Sequence, residues 1–181
     1  MSGTKFKVKP RSRVNIRRVA NAVRKVTNCT TAKFPIMHVL EFTLPMLDEN
    51  FELIVLDEKT MGANHGFAKP TKGIIALRED VYYGAIDGNP RDLMTAAHEL
   101  GHLLLHHETH FMRTSADVPL RAFEDSEWQA NCFAGELLVP ANIVASECES
   151  INEVMELFGV SREAAKVQTK AFQKEGLINW S

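Results

Sequence analysis

The residues whose types and spacing could do chemistry are His98-Glu99-Leu100-Gly101-His102. On an α-helix, positions i and i+4 lie one turn apart and close in azimuth, so both imidazoles face a single point. That makes a two-nitrogen claw for a metal ion. Glu99 follows the first histidine, where its carboxylate can flank an ion without ligating it and take a proton from water, the HExxH arrangement of zinc hydrolases. The same five residues also arise by chance on an amphipathic helix with histidines on its wet face, so the surrounding elements must decide.

The claw needs a helix, and the local sequence supplies one. Asp87-Gly88-Asn89-Pro90 reads as a turn, with Asn89 as N-cap and Pro90 at the first helical position, where a missing N–H costs nothing. At about 100° per residue, Arg91, Thr95, His98, Glu99, His102 and His106 fall on one arc. Leu93, Ala96, Ala97, Leu100, Leu103 and Leu104 fall on the other, which gives the helix one side for a core and one for a cleft.

A third ligand is sought in residues 123–140. As a helix, this stretch places Ala130, Phe133, Ala134, Leu137 and Leu138 on an apolar arc and Asp125, Gln129, Cys132 and Glu136 on the outside. Glu127 falls within the apolar arc, where an ionised carboxylate is costly unless it is paired or bound to a metal. Two histidines and a glutamate with a fourth position open to water form a recurrent catalytic zinc set, here one Zn2+ per chain. Asn131, one turn beyond Glu127, can hydrogen-bond the outer nitrogen of a ligand histidine and fix its tautomer. Two alternatives stay open: a buried salt bridge from Glu127 to Arg91 or Arg121, and Glu124 as third ligand in its place. The extended HExxHxxGxxH class is excluded, because Leu105 stands in the glycine position and Glu108 in that of the third histidine. His106 is a candidate oxyanion or substrate contact, or a plain surface residue at a helix C-terminus. Tyr83, or its neighbour Tyr82, is a candidate transition-state donor, and His107 and His110 carry no assignment.

At 181 residues the chain fits one domain with a sizeable core. Its net charge of −2 hides an asymmetry. Residues 1–40 hold ten Lys or Arg and no Asp or Glu, leaving eleven of the 21 basic and all 23 acidic residues to the remainder. The expected organisation is a basic flexible arm over residues 1–12 and one domain over 13–181. The arm can pack on its own acidic body, bind nucleic acid or an acidic partner, or act as an organellar presequence, although it has few serines. No secretory h-region and no membrane-length apolar run is present, so a soluble, cytoplasmic protein is expected. Cys29, Cys132 and Cys148 contain no C-x-x-C pair and read as plain thiols.

Val14 to Val26 reads as a helix, and a second runs from Pro35 through Phe42 and Leu44 until Pro45 closes it. Strands are expected at 51–56, 66–68 and 73–77, the last two separated by Lys69-Pro70-Thr71-Lys72. The fold class is α+β, a small antiparallel or mixed sheet packed on a helical core, with the HExxH helix followed by a downstream glutamate helix. If the last strand is an edge beside the cleft, a peptide can bind by adding a strand to it. Residues 151–158, a Gly159-Val160-Ser161 turn and residues 162–174 form a helical pair. Arg162, Lys166, Lys170 and Lys174 lie along its second member, so DNA reading is a further possibility.

His98-Glu99-Leu100-Gly101-His102 with Leu103-Leu104-Leu105-His106, then Glu127-Trp128-Gln129-Ala130-Asn131-Cys132-Phe133-Ala134 and Leu137-Leu138-Val139-Pro140, resembles the ImmA/IrrE family of bacterial and phage metallopeptidases. The likeness covers roughly residues 50–175, including Phe158-Gly159-Val160-Ser161. It implies a compact gluzincin-like zinc peptidase in which His98, His102 and Glu127 are the zinc ligands and Glu99 the general base. It also implies a protein substrate, a helix-turn-helix repressor of a phage, mobile element or stress regulon. The basic N-terminal arm is not a feature of that resemblance. The competing expectation is a non-catalytic zinc-containing module that binds DNA or a protein partner through the arm or the C-terminal helical pair.

Overall fold

The computed structural model describes residues 6–106, the strand Met112–Arg113 and residues 121–180. Glu108, His107 and His110 lie outside the described residues. From the N-terminus, a short strand β1 (Phe6–Lys7) leads into helix α1 (Arg13–Val26), whose N-cap Ser12 accepts from the Asn15 N–H. Two short helices follow, α2 (Ile36–His38) and α3 (Leu44–Leu47), joined without a break by a wide π-type turn over Val39–Thr43. The helical run therefore does not stop at Pro45. The i→i+5 spacing, seen where Leu44 N–H reaches Val39 O, relieves the clash between a proline ring and the carbonyl one ordinary turn back.

Strands β2 (Glu52–Leu56), β3 (Gly66–Lys69) and β4 (Ile74–Arg78) flank the small helix α4 (Glu58–Met61) and build one sheet in the order β2-β4-β3. β2 runs parallel to β4 and β3 antiparallel to it, so the sheet is mixed. The last strand is the central one, not the edge. Its apolar run Ile75-Ala76-Leu77 is wholly buried, as fits a strand covered on both faces. The edge next to the HExxH helix is β3. Helices α5 (Glu79–Ile86) and α6 (Pro90–Leu105) come next, and the Asn89 side chain caps α6 by accepting from Arg91 N–H. Strand β5 (Met112–Arg113) pairs antiparallel with β1. Helix α7 (Ser126–Leu138) follows, then α8 (Ala141–Glu147), α9 (Ile151–Phe158) and α10 (Arg162–Lys174), with Gly159 turning the chain between the last two.

Helix α7 is the hub, with α6 packed on one side and α1 on another. Gly101 sets the α6–α7 distance: a Cβ there would stand 3.0 Å from Phe133 Cδ1 and 3.1 Å from the Ala130 backbone. Only a residue without a side chain lets the two helices come this close. The expected outer face of α7 is not outside. Asp125 and Cys132 are buried, and Gln129 and Glu136 are 0% exposed. Two segments cover that face. Residues 6–11 lie over Asp125 and Gln129, with Lys9 O accepting from Gln129 Nε2 at 2.9 Å. Helix α1 brings Arg13 Nε and Arg17 Nε to the Glu136 carboxylate at 2.6 and 2.7 Å, while Arg17 also reaches Glu175 at 2.8 Å. A fully buried carboxylate is tolerated because two guanidinium groups meet it.

From residue 6 onward the basic arm is tied to the body. Val8 is buried, its N–H donates to Glu124 O at 2.9 Å, and Arg11 N–H donates to Phe123 O at 2.9 Å. The three cysteines are free thiols, Cys29 half-buried and the others buried. Burial pushes the Cys132 thiol up to about 12. No helix among the described residues is long and apolar enough to cross a membrane.

Candidate metal centre

Helix α6 presents His98 and His102 to one point, as i and i+4 spacing demands, and α7 crosses it so that Glu127 arrives opposite. Its N-cap, Asp125, accepts from the Glu127 N–H at 3.0 Å, which anchors the turn that carries the carboxylate. The distances form a small triangle. His98 Nε2 and His102 Nε2 are 3.0 Å apart, His102 Nε2 is 3.1 Å from Glu127 Oε1, and His98 Nε2 is 3.4 Å from Glu127 Oε2. Among the described residues these three are the group of donors that could hold an ion. Tetrahedral ligands at about 2.0–2.1 Å from a metal are about 3.3 Å from each other, and the observed edges bracket that value. The set also has the right charge. Hydrogen bonding with His102 and His98 holds the Glu127 carboxyl far below the usual carboxylate range. Burial works to lower His98, yet Glu127 and Glu99 leave it raised, so positive charge is favoured where the three donors meet. Two imidazoles and a carboxylate, with no further donor among the described residues, suit a metal site that keeps a position open better than a closed structural one.

The remaining predicted residues divide. Asn131 Oδ1 lies 3.0 Å from His98 Nδ1 and accepts its N–H, which leaves Nε2 with a lone pair. Glu99 is 6% exposed. Burial raises its carboxyl above the ordinary range, against the pull of His98 and His102. It stands apart from the donor triangle but close enough to feel both histidines.

The other candidates lie away from the triangle. His106 is not a surface residue: it is 1% exposed, folded under the triangle with Nδ1 3.3 Å from His102 Nδ1 and Nε2 3.3 Å from Gln129 Oε1. Burial, then the nearby charge of His102, pushes its pKa down to about 4. Tyr83 is 57% exposed with its ring edge-on to Tyr82, whose hydroxyl is hydrogen-bonded to Glu41, so neither tyrosine joins the cluster. Nor do the alternatives for Glu127 hold. Glu124 turns to Lys7 at 3.6 Å, Arg91 brings its Nη2 within 2.8 and 2.9 Å of the His65 ring nitrogens, and Arg121 sits over Phe123.

Two residues that sequence reasoning passed over also shape the site. Gln129 carried a weak signal, a polar side chain two positions after Glu127, and was assigned to the wrong face. Gly66 carried none. A Cβ on it would stand 3.0 Å from Glu99 Cγ, 3.2 Å from Glu99 Oε1 and 3.2 Å from Ala76 O, so the first residue of the edge strand leaves room for the buried carboxylate. Gly66→Ala is expected to lower kcat about 10- to 100-fold by displacing that carboxylate, with metal content unchanged. Steady-state kinetics beside metal analysis checks this, and undiminished kcat refutes it.

A peptidase-family model described as the IrrE N-terminal-like domain matches residues 55–170, an interval that contains Gly66, His98, Glu99, His102, Glu127 and Asn131. It stops short of the basic arm, α1, α2 and α3. No curated protein matches the chain.

Proposed function

The chain belongs to the ImmA/IrrE family, and with a metallopeptidase-type domain as premise we propose that it is a zinc-dependent endopeptidase that cuts a specific protein, a helix-turn-helix repressor. The observation that carries this reading is the meeting of His98, His102 and Glu127 beside a buried carboxyl that ligates nothing. Zn2+ held by those three donors would supply Lewis acidity, making a water acidic and polarising the scissile carbonyl. Glu99 accepts the proton of the attacking water and later delivers it to the leaving amine. Its raised proton affinity suits both halves of that task. Asn131 keeps His98 in the tautomer whose Nε2 is free.

Strand β3 pairs with β4 on one side only among the described residues, and Gly66 places its start against Glu99. An extended peptide adding to that edge would lay its backbone along α6, past the carboxyl that does the proton transfer. The test is to incubate the zinc-loaded protein with the purified helix-turn-helix regulator encoded beside its own gene, with an unrelated helix-turn-helix protein as control. Cleavage of the first alone, abolished by chelator and restored by zinc, is expected. No cleavage of either would overturn the substrate assignment.

The second reading, a DNA- or protein-binding module, draws on one observation: Arg162, Lys166, Lys170 and Lys174 are all exposed along α10. Retardation of duplex DNA that K166E/K170E abolishes, without proteolysis, would favour it.

A further inference from the structure

The N-terminal segment and the donor triangle are joined by an unbroken file of hydrogen bonds that passes through two buried side chains. Gln129 Nε2 donates to two backbone carbonyls, Lys9 O at 2.9 Å and Phe123 O at 2.8 Å. With both amide hydrogens committed, the orientation of the amide is settled, and Oε1 is the atom that faces His106 Nε2 at 3.3 Å. A carbonyl oxygen can only accept, so His106 Nε2 carries a hydrogen. The other ring nitrogen of His106 lies 3.3 Å from His102 Nδ1. Two bare nitrogens repel at that distance and two N–H groups clash, so one must donate. A neutral His106 has spent its single hydrogen on Gln129, and the donor is therefore His102 Nδ1–H. In a neutral His102 the remaining nitrogen, Nε2, then offers a lone pair to the point where His98 Nε2 and Glu127 Oε1 stand 3.0 and 3.1 Å away, three electron-rich atoms that only a cation or a shared proton can hold together.

We infer that Gln129 and His106, clamped by the Lys9 carbonyl, are positioning residues that hold His102 in its Nδ1–H tautomer and so keep its Nε2 free to bind a metal ion. The two histidines of the claw are thus oriented by different means, His98 directly by Asn131 and His102 through a relay that ends on the N-terminal strap. That strap is fastened at several points: Val8 and Arg11 N–H groups donate to Glu124 and Phe123, and Arg11 Nη2 reaches Leu105 O at the end of α6 at 3.4 Å. Residues 6–11 lie outside the interval matched by the family model, so part of the support of the site comes from outside that interval. The inference rests on the metallopeptidase reading above.

Two readouts test it on the full chain. In zinc-loaded protein with 15N-labelled histidine at about pH 8.5, well above the ordinary histidine pKa of about 6.5, His102 is expected to show a protonated Nδ1 and a metal-bound Nε2. His106→Phe keeps a ring in the cavity but removes the acceptor. It should shift His102 away from the Nδ1–H, Nε2-bound form and weaken Zn2+ binding, measured by competition with a chromophoric chelator, by about 10- to 100-fold. His106→Asn, whose Oδ1 can stand in for Nδ1, should retain the wild-type tautomer and affinity. Gln129→Met should move both readouts in the same direction as His106→Phe. A zinc-loaded wild-type His102 found without a hydrogen on Nδ1, or bound through Nδ1, overturns the inference, as does wild-type zinc affinity in a His106→Phe protein with an unchanged Tm. Should His106→Phe fail to fold, the wild-type tautomer and Gln129→Met decide. If the wild-type protein takes up no zinc, it is the metallopeptidase reading that fails, and the tautomer of His106 in the metal-free protein, expected with a hydrogen on Nε2 and a bare Nδ1, still judges the relay.

Discussion

Glu99→Gln is expected to bind its metal as the wild type does and to lose hydrolysis by about 10²- to 10⁴-fold, the usual contribution of a positioned general base. Glu99 lies outside the triangle formed by His98, His102 and Glu127, so an amide in its place removes no donor. What it removes is the ability to take a proton. The substitution is nearly isosteric in a pocket that admits little change, bounded by Gly66 and 6% exposed. Folding should not suffer, because a neutral amide is less costly to bury than a carboxyl that burial already drives toward its neutral form. Metal analysis, a thermal melt and turnover on the same preparation separate these statements. A Glu99→Gln protein with undiminished turnover would remove the general base from the mechanism.

Glu127→Ala should do the reverse of Glu99→Gln and lose the metal itself. Four-ligand structural zinc sites bind with about 10–16 kcal/mol, so one protein ligand carries roughly 3 kcal/mol, about two orders of magnitude in affinity. Glu127 is also the one charged member of the triangle, and without it two neutral imidazoles face each other at 3.0 Å. Equilibrium dialysis against buffered zinc checks the expectation. Glu124→Ala is the matched control, since Glu124 is occupied by Lys7 and its loss should leave zinc content unchanged. Unchanged zinc in Glu127→Ala would refute the ligand set.

Both substitutions concern residues that the sequence alone made legible, and the reason is periodicity. His98 and His102 are fixed relative to each other by the helix they share, and Asn89-Pro90 announces where that helix begins. Glu127 stood out because a carboxylate inside an apolar arc asks for a cation. Asn131 followed from being one turn further on. The illegible part concerns what covers each element. A helical wheel distinguishes faces, but for α7 it took the polar face for the wet one. α1 and the segment before it, which have no sequence proximity to α7, cover that face, Arg13 and Arg17 over Glu136 and the Lys9 backbone over Gln129, so both are interior. The same blindness misplaced His106, which shares an arc with the claw yet turns beneath it at the end of α6. Strand order was equally out of reach: β4 is central because β2 reaches it in parallel after β3 has been inserted between them in the chain, a choice made by packing on α6 rather than by any local signal.

The Glu136 network sets a lower limit on how far the polypeptide can be shortened. Its two arginines, Arg13 and Arg17, precede the family-matched interval by some forty residues. A fragment beginning at residue 55 would retain the carboxylate while losing both countercharges and the helix that roofs them. Leaving one member of such a pair unmatched costs about 3–5 kcal/mol, a large share of the about 5–15 kcal/mol that keeps a typical domain folded. The catalytic half of the molecule is therefore not an autonomous module: the N-terminal helix that no motif marks is part of what lets the motif-bearing portion exist as a folded object.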